Sequence, residues 1–184
     1  MKITIYSSRV LIAFLLKLSL IFIIALANAS GSEKLRINFL SNSDWIEIRH
    51  IEHEPEELVI LLVRKSGDAI PISIYYQDGP AFPELASIFK QKIAGKQILF
   101  VIVKWRYYLS GVNTEGDYYE VHAYEAQKNK IGNIIFQENK KISDFFGSGF
   151  DGKQEGKAIK FQFKNATTIR KMLNQNGNIF KDLW

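Results

Sequence analysis

Six residues carry the side chains best able to do chemistry together. They are Lys104, Arg106 and Tyr108 in one extended run, and Tyr118, Glu120 and His122 in the next. Each set recurs at every second position, which puts its members on one face of a strand. The two runs, 98–109 and 117–127, are the most strand-like in the chain and flank a loop at 110–116. A loop symmetric about Asn113 would pair Tyr108 with Tyr118, Arg106 with Glu120 and Lys104 with His122. It would also pair Trp105 with Val121, Tyr107 with Tyr119 and Val103 with Ala123 on the opposite, apolar face, which is then the core. A one-residue slip would flip every side chain.

The expected product is a single patch of all six residues. Tyr and Arg are enriched at binding hot spots, so the patch is a candidate surface for a partner. Its plain alternative is the wet face of an antiparallel sheet. Glu120 and His122, about 7 Å apart by strand rise, also suit acid/base work.

Other constellations are less specific. Gly147-Ser148-Gly149-Phe150-Asp151-Gly152 matches GxGxxG. A pyrophosphate site needs a strand before that motif and a helix after it, and the glycines of 143–157 instead read as a long loop. No cofactor is expected. His50 and His53 with Glu54, Glu56 and Glu57 could ligate a metal only if the chain turns at Pro55, because an extended strand points the two histidines apart. HExxH is absent. Asp144, Asp151 and Glu155 do not have EF-hand spacing. Ser148 is not in a GxSxG elbow. Asn165-Ala166-Thr167 matches a glycosylation sequon, which matters only in a eukaryotic secretory host.

Composition bounds the rest. The 184 residues include no cysteine, which excludes a thiol nucleophile, a redox pair, a disulfide scaffold and a lipoprotein attachment. Lys2 and Arg9 precede a largely apolar run over 10–24, interrupted by Lys17, and Ala27-Asn28-Ala29 supplies a small-x-small cleavage site. Residues 1–29 read as a signal peptide. A retained anchor is the alternative, but Lys17 sits inside the stretch that would have to cross the bilayer. Removing Lys2, Arg9 and Lys17 takes the formal net charge from +5 to +2. That small charge gives no electrostatic footprint for nucleic acid. The expected compartment is periplasmic or secreted, with membrane contact only through the leader.

The elements that position these residues follow from periodicity. Residues 45–51, 58–63, 69–76, 134–137 and 158–163 read as further strands, with Pro71 marking an edge. Pro83-Glu84 opens an apparent helix with Leu85, Ile88, Phe89 and Ile93 as its apolar stripe and Gly95 as its stop. A last helix, capped by Asn165 or Thr167, carries Ile169, Met172 and Leu173 and ends at Gly177. The expectation is α+β: one domain over 30–184 with a largely antiparallel sheet and two short helices. The alternative is an all-β sandwich with short helices. The expected role is an exported envelope protein that binds a protein partner, of the immunity or inhibitor type. The alternative is a small envelope hydrolase built on His122 and Glu120.

Overall fold

The computed structural model describes residues 29–53 and 55–176. The leader and its cleavage, Glu54 and Gly177 lie outside the described residues. Two antiparallel sheets are built from successive stretches of chain. The first has the order β1 (Ala29–Arg36), β2 (Trp45–Ile51), β3 (Glu57–Val63), β4 (Ala69–Tyr76). Alternation does the sorting in β2: Ile46 and Ile48 are buried, and between them Glu47 turns outward to accept from Arg49 at 2.7 Å. Pro71 lies on edge strand β4, where a missing N–H is tolerated, beside a bulge at Ile60/Leu61 of β3.

The second sheet runs β10 (Lys157–Ile159), β9 (Ser148–Gln154), β7 (Thr114–Lys128), β6 (Lys96–Leu109), β5 (Pro83–Ile93). Strand β8 (Ile134–Glu138) pairs with the far end of β7. One face of this sheet packs on the first sheet through Leu99, Val101, Val103, Trp105 and Tyr124. Its other face is covered by helix α1 (Lys140–Phe146) and helix α2 (Ala166–Gln175), with Phe100, Ile102, Val121, Ile142 and Ile169 between them. Burial on both sides explains the unbroken apolar run of β6, where all six residues from Ile98 to Val103 are inaccessible. The chain is thus mostly antiparallel sheet with two short helices, a class between α+β and mainly β.

Three expectations need correction. Residues 83–93 are a strand, not a helix. Ala94 and Gly95, at φ 47° and 85°, form a two-residue turn that folds β5 back onto β6, pairing Ile93 with Lys96. A bulge between Leu85 and Ser87 shifts the strand's parity. Leu85 and Ile88 therefore meet the first sheet while Phe89 and Ile93 meet the helices, which mimics a helical stripe.

The hairpin register also differs. The connection is four residues, a short 3-10 turn at Ser110–Val112 closed by Asn113 at φ 49°, so Thr114 already pairs with Leu109. Trp105 faces Tyr118, and Lys104 faces Tyr119. The loop is shorter than the seven residues assumed, which moves the register by an odd number.

Residues 143–157 are not a long loop. They contain the end of α1, all of β9 and the turn into β10. Helix α1 is capped by Asn139, whose side chain accepts from Ile142 N–H. Regular pairing in 158–163 stops at Ile159; Phe161 and Phe163 then pack under the sheet. The final helix is as expected, with Asn165 as the cap at 3.0 Å from the Thr168 nitrogen. It buries Ile169 and Leu173.

Candidate functional site

The odd shift divides the six candidate residues between the two faces of the second sheet. Lys104, Arg106 and Tyr108 lie on the helix side. There Lys104 reaches Glu84 at 3.0 Å and Asp117 at 3.8 Å, and Arg106 reaches Asp117 at 3.6 Å and Glu115 at 3.8 Å. Tyr108 is 72% exposed. Tyr119 donates to Asp117 at 3.3 Å, and burial together with that carboxylate pushes its hydroxyl up to about 12. These charges are already paired across neighbouring strands, an arrangement of solvated ion pairs that adds little stability.

Tyr118, Glu120 and His122 lie on the other face, the one that packs on the first sheet, where Tyr118 borders the shared core and His122 meets Tyr75. They line a groove of two adjoining cavities. The larger, about 430 Å³, has Tyr107, Tyr118 and Phe150 as its aromatic lining, and Asp78 and Glu120 as its carboxylates. The smaller, about 220 Å³, shares Glu120 and adds His122, Glu138, Lys140, Asp144 and Ser148. Tyr118 donates to Ser148 Oγ at 2.7 Å, which ties β7 to β9 at the junction. Tyr107 donates to Asp78 Oδ2 at 2.5 Å, which ties the second sheet to the turn after β4. Burial and that same carboxylate push the Tyr107 hydroxyl well above its usual range.

His122 is the centre of the polar end. Its Nδ1 lies 2.8 Å from Glu138 and its Nε2 3.1 Å from Glu120. Its ring packs against Tyr75 at 5.1 Å between centroids. Burial alone would lower its pKa, but hydrogen bonds to both carboxylates outweigh burial and raise it above 6.5. Burial opposes the Glu138 charge in the same way, and His122 reverses the balance, holding that carboxyl below 4.5. The linkage has a definite sign. The histidine's contribution to stability is complete below pH 6.5 and is lost as pH rises through its folded value. The glutamate's is complete above 4.5 and is lost as pH falls through its folded value. The cluster therefore stabilises most between those limits. Melting temperatures measured across pH should fall from the slightly acidic range into the alkaline one, and His122→Gln should flatten that fall. An unchanged slope in the variant would show that His122 does not set it.

Sequence reasoning missed Asp78, Tyr107, Phe150 and Glu138. Asp78 stands outside every element the sequence marks, Tyr107 pairs on the expected core face, and Phe150 falls inside the expected loop at 143–157. Glu138 lies one residue past the expected strand 134–137, and the hairpin of β7 and β8, which pairs it with Tyr124, brings it to His122.

The GxGxxG residues have structural roles. A Cβ on Gly149 would stand 2.5 Å from the Phe161 ring, and one on Gly152 would stand 2.4 Å from the Glu115 carbonyl oxygen. Both are consumed by close strand and ring contacts. The acids named with them are dispersed: Asp151 accepts from Phe161 N–H and pairs with Lys164, Asp144 is on α1, and Glu155 sits in the turn after β9. His53 lies 3.8 Å from Glu57. Among the described residues no group of three metal-ligating side chains converges, and no helix is long and apolar enough to cross a membrane. No protein-family model, curated protein or solved structure matches this chain.

Proposed function

We propose that the chain is an exported binding protein of the cell envelope, delivered by residues 1–29 to the periplasm or beyond. It holds a protein partner in the groove of β7 and β9, as an immunity or inhibitor protein would. The observation that carries this reading is the groove itself. Tyr107, Tyr118 and Phe150 offer ring surface beside Asp78 and Glu120, the combination of aromatic anchor and polar rim that suits a partner's side chains.

Hydrolysis is the lesser reading. Both nitrogens of His122 face carboxylates, so neither is free to take a proton from a nucleophile. The nearby Ser143 hydroxyl is buried and accepts from Ala123 N–H at 3.0 Å.

The test is affinity capture from an envelope extract with the full-length chain, expressed with its own leader and carrying a carboxyl-terminal tag. The product should begin at Ser30 and retain a partner. Tyr118→Ala should reduce retention about tenfold or more, the scale of a hot-spot loss. Arg106→Ala combined with Tyr108→Ala, on the opposite face, should leave it intact. Retention indifferent to Tyr118, or lost with the Arg106/Tyr108 pair, would overturn the assignment of the contact to this groove.

A further inference from the structure

We propose that the larger cavity takes the cationic end of a lysine or arginine side chain presented by the partner. This rests on the binding reading above and adds the chemistry that the site recognises. Three observations converge. First, the cavity's lining contains two carboxylates, Asp78 and Glu120, and no lysine, arginine or histidine. Asp78 accepts the Tyr107 hydroxyl, a neutral donor, and has no ion-pair partner among the described residues. Its charge is left for a ligand.

Second, the rings are placed as a wedge. Tyr107 and Phe150 stand 6.5 Å apart between centroids at an interplanar angle of 46°, and Tyr118 flanks them on β7. A cation held against the open side of this ring pair meets ring surface while the carboxylates meet its N–H donors. A neutral ligand would use the rings and leave the Asp78 charge without an ion-pair partner. An anionic one would be repelled.

Third, the field extends beyond the cavity. The adjoining half of the groove adds Glu138 and Asp144, with only Lys140 and His122 against them. The whole groove is therefore acidic in a molecule whose formal charge is positive, and it would steer a basic segment toward itself.

The volume, about 430 Å³, accommodates one long side chain and its neighbours rather than a polymer. Glu120 belongs to both cavities, so a cation held there also competes with His122 for that carboxylate.

The test is titration of the full-length chain with pentalysine and with pentaarginine, followed by the ring resonances of Tyr107, Tyr118 and Phe150. Fully acetylated pentalysine with an amidated carboxyl terminus is the neutral control. The cationic peptides should move those resonances saturably, and the acetylated peptide should bind about tenfold or more weakly. Asp78→Asn combined with Glu120→Gln should weaken the cationic peptides by a similar factor. Asp78→Asn alone changes an exposed turn residue and keeps the test readable if loss of the Glu120–His122 contact disturbs folding. Equal binding of the acetylated peptide, or no effect of either variant, would overturn the proposal. A captured partner that needs Tyr118 but tolerates the carboxamide variants would overturn it too, while leaving the binding reading in place.

Discussion

Phe100→Ala should cost about 4 kcal/mol of stability, the range for emptying a buried aromatic site that cannot collapse. Phe100 is wholly inaccessible on β6. It stacks on Phe89 of β5 at 5.1 Å and 6° and meets the edge of Phe146 of α1 at 5.7 Å and 83°. Truncation removes a ring that packs between Phe89 of edge strand β5 and Phe146 of the helix layer. For a chain of this size the melting temperature should fall by about 8–16 °C. Urea denaturation gives the same quantity through its midpoint. A loss under about 1 kcal/mol would mean that the helices do not pack on this face of the sheet as described.

Gly152→Val should be nearly as severe, by the opposite mechanism of too much volume. Gly152 and Gly116 face each other across β9 and β7. A Cβ at 152 would stand 2.4 Å from Glu115 O and 2.7 Å from Gly116 Cα. Those are backbone atoms, so the strands themselves must separate, at a cost of about 3 kcal/mol. The variant has a second effect, because β9 also carries Ser148 and Phe150 into the groove. Moving β9 should therefore abolish partner retention even at temperatures where the protein stays folded. Gly111→Ala is the control. A Cβ there meets nothing within 4 Å, and its melting temperature should match the parent's. Equal stability of Gly152→Val and Gly111→Ala would show that the two strands do not approach as closely as the structure places them.

Much of the framework is legible in the sequence where pattern and local geometry agree. Strand 45–51 reads from its period of two, 69–76 from its pattern with Pro71 marking an edge, and the last helix from Asn165 and its apolar spacing. The failures have one root. Spacing along a chain reports which faces are buried, but not how many faces. Strand β5 is covered on both sides and bulged, and its apolar residues fall at helical intervals for that reason alone. The glycines of 147–152 read as part of a long loop because the sequence cannot show that Gly116 and the Phe161 ring lie against them. The site suffered most. Its six residues were each assigned to a strand that exists, yet a turn of four residues rather than seven sent three of them to the opposite side. The groove that replaced the patch depends on Asp78, which only tertiary contact brings near β7, and on Glu138, which lies one residue past the strand expected at 134–137.

The division of the chain into two sheets has a consequence for the order of assembly. Among the described residues every strand pairing lies within 29–76 or within 83–159, and none joins the two stretches. A polypeptide emerging in sequence order completes the first ladder while Ile46, Ile48, Leu58, Ile60 and Leu62 still lack the β6 residues that cover them. That interval leaves an adhesive surface open to other nascent molecules. Its length is set by the time needed to deliver residues 77–109, so slower delivery of that stretch should leave more chains associated before they fold.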